Sequence, residues 1–339
     1  MDARRRSLPF AALTLLALAF AGHARAGEPC PLNAPLPTTW GQRIASVACA
    51  EHRLWYSPFL DERGRLASTT VAEAENVRLQ DRTTPAWRRV VDYWRATGLL
   101  SQMSSHPGAN ECGTSALDSL YGSAICRAFV IDTPWSAVFV TFVEMRASVP
   151  GFQASASHVD YVRQALRGDP AGPYRFADPD AETPAMGDLL CFTRGLTVPL
   201  GSANFRATLA RDGSGMAMHC DIVVESDPAG GTLYTIGGNV LQGVTMRTLR
   251  LNREGRVWGL PRKTATPVAC RPGADEACSF DRQDWVALLK LQVTAPLPPP
   301  MAPPSPACCT LCALPMPPGM QRCPAPSAAP LQVQPPATP

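Results

Sequence analysis

Beyond residue 26 the 339-residue chain has no run of about 18 uninterrupted apolar residues, the length a bilayer-spanning helix needs. No integral membrane segment is therefore expected in that part. It also lacks an excess of charge. Residues 1–26 hold four Arg and one Asp, which account for the whole formal net charge of +3. The neutral remainder has no basic patch for nucleic acid or for an anionic surface. Histidine is scarce, with five in all, and none is spaced as H-x-x-x-H or H-E-x-x-H. That excludes the commonest metallopeptidase signature, and neither a metal nor a cofactor is expected. Internal repeats are absent.

What is present begins with a processing signal. Arg4, Arg5 and Arg6 precede an apolar run from Pro9 to Ala21, and Ala24-Arg25-Ala26 forms an A-x-A site. This pattern predicts export, with cleavage near Ala26 and a periplasmic or secreted product. All 12 cysteines lie after that point. In an oxidising compartment they predict disulfides, with Cys30/Cys49, Cys112/Cys126 and Cys270/Cys278 as local pairs. The cluster Cys308, Cys309, Cys312 and Cys323 sits in proline-rich sequence without histidine, so disulfides or a disordered tail are expected there rather than zinc. From residue 294 the chain is dominated by Pro and Ala, and an extended, disordered tail over 294–339 is expected.

Residues 27–293 suffice for one domain with a substantial core. The N-terminal part, 27–120, reads as helical. Thr84-Pro85 has the form of a helix start, followed by Trp87, Val90, Val91 and Trp94 at helical spacing. A second helix is expected around Gln42–Tyr56. From Asp188 the pattern changes to short β-like runs, DLLCF, HCDIVV, TLYTIGG and GVTMRTLRL, separated by turn residues. Helices followed by strands predict an α+β fold, with N-terminal helices packed on an antiparallel sheet.

Three stretches carry candidate chemistry. Asp132-Thr133-Pro134 predicts a helix start, with Trp135, Val138, Phe139, Phe142 and Val143 as its buried stripe. Ser136 falls in its first turn, where free N–H groups and the helix dipole favour negative charge. On MHCDIVV, strand alternation puts His219, Asp221 and Val223 on one face and Cys220 on the other. Cys220 is thus turned away from His219, free to pack or to pair with Cys191 if their strands are neighbours. In TIGGNV the paired glycines allow close backbone approach, and Asn239 follows them. Two further residues stand nearby in sequence. His158 shares a helical face with Tyr161, Val162 and Ala165, and Arg194 lies just past DLLCF, where it could meet a carboxylate.

Together TPWSAVFV, GDLLCF, HCDIVV and IGGNV, in this order over about Asp132–Arg250, resemble the CHAP and NlpC-type cell-wall hydrolases of the papain-like clan. The likeness is strongest to an uncharacterised exported bacterial branch, a domain of unknown function in which W-S-A replaces W-C. The resemblance implies a papain-like topology with its core over 121–293. It also implies cleavage or transfer at an amide bond of a peptidoglycan peptide. Carried over, Ser136 takes the nucleophile position, His219 the general base and Asn239 the orienting polar group. Trp135, Asp221, His158 and Arg194 would support them. The chain departs from the pattern at Ser136, where cysteine is usual, and at Asp221, where glycine is usual. A helix dipole worth about 0.3–1 kcal/mol cannot ionise a serine, so Ser136 needs proton removal by a base and an oxyanion site worth about 3–4 kcal/mol. Two readings follow from this exchange: a serine hydrolase, and a non-catalytic binding or scaffolding module that keeps the cleft.

Overall fold

A computed structural model describes residues 28–113, 119–211, 215–266 and 268–298, and the short segments 308–309 and 321–322. The expected signal and its cleavage site lie outside these residues, as do the side chains of the Cys308–Cys323 cluster. The chain divides after Ala295 into two units. Most of the expected tail over 294–339 lies outside the described residues; in the second unit Cys308–Cys309 pairs in parallel with Gln321–Arg322.

The first unit is α+β. Its helices are α1 (Trp40–Leu54), α2 (Ala86–Ala96), α3 (Ala109–Gly113), α4 (Leu120–Asp132), α5 (Ser136–Ala147), α6 (His158–Arg167) and α7 (Gly201–Arg211). Its strands are β1 (Phe59–Leu60), β2 (Leu66–Ser68), β3 (Tyr174–Ala177), β4 (Leu189–Thr193), β5 (Met218–Asp227), β6 (Thr232–Val240), β7 (Gly243–Arg250) and β8 (Asp284–Leu291). All eight strands join one sheet in the order β2-β1-β7-β6-β5-β4-β8-β3. The sheet is mixed rather than antiparallel, because β1 runs parallel to β7. A two-residue strand shows no alternation, which is why the β1–β2 hairpin left no signal among residues that read as helical. The hairpin and α1 also tie the helical part to the sheet, for α1 packs on β5 and on α5. The 27–120 and 121–293 parts are therefore not separate bodies.

Helix starts show how local chemistry decides boundaries. At α1, Thr39 and Gln42 form a reciprocal capping box, which satisfies two of the end's orphan N–H groups. At α2 the expected Thr84 cap is not made. Asp81 draws the Thr84 hydroxyl back at 2.7 Å, and Pro85 itself occupies the cap position in extended geometry. At α5, Pro134 lies outside the helix instead of at its first position. Asp132 ends α4, the two helix axes meet at 97°, and Ser136 becomes the first helical residue after the cap residue Trp135. No single helix among the described residues is long and apolar enough to cross a membrane.

The α5 helix is buried on every side from Ser136 to Glu144, so its apolar residues are not confined to one stripe. It packs on β5 and β6. A second apolar cluster, including Leu190, Phe192, Val223, Leu249, Leu260 and Trp285, lies on the sheet face that carries His219, Asp221 and Arg247, as the register of β4 to β7 shows. Four disulfides, Cys30–Cys49, Cys112–Cys126, Cys191–Cys220 and Cys270–Cys278, brace this unit. Cys191 and Cys220 are direct cross-strand partners on β4 and β5. The bond pins the strand that carries His219, and chain-entropy arguments give such a link roughly 2–4 kcal/mol.

Candidate active site

Ser136 is placed by the residue before it. The fully buried Trp135 stacks between Trp55 and Tyr93, with ring centroids at 5.9 and 5.6 Å. Its indole Nε1–H donates to Glu73 Oε2 at 2.7 Å. These contacts fix the entry of α5. The cap residue Trp135 makes no side-chain hydrogen bond to that end, so the first-turn N–H groups lack a cap acceptor as well as an intrahelical one.

The hydroxyl of Ser136 meets His158. Its Oγ lies 2.9 Å from His158 Nε2, and the two residues are each only 4% exposed. His158 opens α6, and its Nδ1 is buried without a hydrogen-bond partner. Burial, then the neighbouring His219, push the His158 imidazole well below its ordinary value. It is therefore neutral at neutral pH, and the same burial that keeps it neutral also weakens it as a base.

His219 stands against His158 with ring centroids 5.2 Å apart, and Phe192 packs on it at 5.1 Å. Its Nε2 pairs with Asp221 Oδ1 at 2.7 Å, two residues along the same strand face. Arg247 on β7 donates Nε–H to Asp221 Oδ2 at 2.8 Å, and through Nη1 to Asp281 Oδ1 at 2.8 Å. Burial alone would raise the Asp221 carboxyl, but His219 and Arg247 outweigh it and hold it at about 2. The result is a buried chain, Ser136–His158, His219–Asp221–Arg247–Asp281, with a ring contact at its centre.

The two glycines of TIGGNV serve this packing. A Cβ on Gly237 would overlap Asp221 Oδ1 and stand 2.8 Å from His219 Nε2, and one on Gly238 would collide with the Phe139 side chain. Asn239 does not reach His219. It adopts a left-handed backbone, φ 57°, and its Nδ2 donates to Glu73 Oε2, the oxygen that also holds Trp135. The expected orienting position thus belongs by contact to Asp221, while Asn239 braces the loop beneath Trp135. Arg194 is exposed at the end of β4, and its positive charge also lowers the His158 value.

The structure therefore brings Ser136, His158, His219 and Asp221 together and leaves Asn239 and Arg194 outside. It adds Arg247, Asp281 and Glu73, which the sequence reading missed. Arg247, in the apolar strand pattern of GVTMRTLRL, was the one visible cue, since a cation there must be paired. No spacing links it to Asp221 or Glu73 to Asn239.

Fold and site define an α+β domain with a buried serine–imidazole contact at a helix start, beside a buried histidine–aspartate–arginine chain. Residues 81–291 match a family described as an uncharacterized protein conserved in bacteria, DUF2272, and the chain belongs to that family. No curated protein and no solved structure matches the chain.

Proposed function

We propose that this protein is a serine-dependent acyl hydrolase with a papain-like arrangement, exported after cleavage near Ala26 and acting on an amide bond of a cell-wall peptide. The observation that carries the chemistry is the 2.9 Å contact between Ser136 Oγ and the neutral His158 Nε2 at the start of α5. In this reading Ser136 Oγ attacks the scissile carbonyl while His158 takes its proton. The uncapped N–H groups of the first turn receive the oxyanion, and His158 returns the proton to the leaving amine. Water, deprotonated by the same imidazole, then releases the acyl group. Asp221, ionised at neutral pH, favours the imidazolium that forms beside it. The substrate and the kinship with CHAP and NlpC-type enzymes rest on the sequence resemblance.

A second reading has its own support. Ser136, His158 and His219 are almost fully buried, which favours a binding module that keeps the polar chain for its structure. Mass spectrometry of purified muropeptides incubated with the protein separates the two. New products that vanish in Ser136→Ala and His158→Ala are expected. Loss in His219→Ala with retention in His158→Ala would move the base to His219, as the resemblance implies. No products from the native chain or from Ser136→Cys would overturn the hydrolase reading.

A further inference from the structure

A cavity of about 690 Å³ is lined in part by Asp281 and by none of Ser136, His158, His219 and Asp221. Two walls form it: the turn of the β1–β2 hairpin, and the loop that follows β7. They are docked to each other, since Phe280 N–H donates to Gly64 O at 2.8 Å. A Cβ on Gly64, where φ is +67°, would stand 2.8 Å from Asp281 N, so this close seating needs glycine. The Cys270–Cys278 disulfide staples the loop segment that carries Asp275 and Glu276.

Charge in the cavity is only partly spent. Arg65 pairs with Asp275 at 3.3 Å and Arg250 with Glu62 at 2.8 Å. Asp281 is committed to Arg247. Among the described residues Arg63, Arg282 and Glu276, which also line the cavity, have no ion-pair partner. Arg282 Nε is in addition buried with no hydrogen-bond partner. Guanidinium groups recognise carboxylates through paired N–H bonds, and Arg63 and Arg282 both line the cavity. Phosphate fits less well, because four carboxylates line the same space and would repel a dianion more than a monoanion.

We infer that this cavity binds a zwitterionic, amino-acid-type ligand, a free amino acid or a short peptide. Its carboxylate meets Arg63 and Arg282, and its ammonium meets Glu276. The proposed contacts, Arg63, Arg282 and Glu276, lie outside the buried chain of the Ser136 centre, which meets the cavity only at Asp281, so the assignment stands or falls apart from the hydrolase reading.

Titration calorimetry of the full chain with dialanine tests it, beside N-acetyl-dialanine, dialanine amide and inorganic phosphate. Dialanine should bind saturably at one site. Its amide should bind at least tenfold more weakly, as should dialanine to Arg282→Gln or Arg63→Gln, and Ser136→Ala should bind as the native chain does. In Glu276→Gln the preference for dialanine over its N-acetyl form should disappear. No dialanine binding, binding indifferent to both arginine substitutions, or binding of phosphate alone would overturn the inference.

Discussion

The two imidazoles of the site are neighbours with opposite environments. His158 is on a helix, bonded to an uncharged hydroxyl through one nitrogen and to nothing through the other. Burial is its dominant influence and keeps it neutral. His219 is on a strand, bonded to a carboxylate that Arg247 also holds. The first arrangement leaves a neutral ring against the serine hydroxyl. The second is an ion-paired framework whose removal should disturb the fold. The difference teaches that proximity to the serine and embedding in the charge network are divided between two histidines.

The sharpest way to break this division is Asp221→Ala. It strands a buried Arg247 with Asp281 alone, and removing one partner of a buried pair typically costs about 3–5 kcal/mol. Urea unfolding should show that loss. Ser136→Ala removes one neutral hydrogen bond and leaves His158 Nε2 unpaired, which should cost about 1–3 kcal/mol, less than the Asp221 loss. Equal losses in the two variants would mean that the halves are not distinct.

Acid should come next in size. A buried histidine held below its unfolded value binds fewer protons folded than unfolded, so stability falls as pH drops below 6.5. His52 is a control without a carboxylate: burial lowers it from 6.5 to about 4, a displacement worth on the order of 3 kcal/mol. Its share is intact above pH 6.5 and is lost progressively down to about pH 4. His158 acts with the same sign. Chemical denaturation at pH 7 and pH 5 should show a clear loss, and His158→Gln should shrink but not abolish it. An unchanged midpoint would contradict neutral burial of both rings.

Gly237→Ala probes the strand half alone. The added methyl meets Asp221 and His219, and overpacking of this kind costs about 1–3 kcal/mol. The His219 ring resonances should shift, while those of His158 move less. A neutral substitution would show that the pair has room to separate.

Much of this was legible in residues with strong local rules. Alternation on HCDIVV put His219 with Asp221 and sent Cys220 to the opposite face, where it bonds Cys191. The α5 start was legible to within two residues. The boundary itself depended on Trp135, whose stacking on Trp55 and Tyr93 is a contact across some 80 and 40 positions that no window contains. His158 was legible only as a supporting residue, because helical spacing reveals a face but not its neighbour, Ser136. Arg247 and Asp281 join the site through strand order and a covering loop, which only the assembled sheet brings together.

The smallest expected effect concerns Asn239, which the resemblance would place behind His219. Its side chain is spent on Glu73, whose carboxyl burial raises despite the bonds from Trp135 and Asn239. Its left-handed backbone costs an asparagine little and a glycine nothing. In Asn239→Gly, relief of the backbone offsets part of the lost bond, and the net change should stay within about 1 kcal/mol. Any turnover on muropeptides should stay within a few-fold of native, because Asp221 still holds His219 and Trp135 still donates to Glu73. If Asn239→Gly instead lost turnover as fully as His219→Ala, with its unfolding midpoint unchanged, Asn239 would belong to the reacting centre. The division between the two imidazoles would then need a third member.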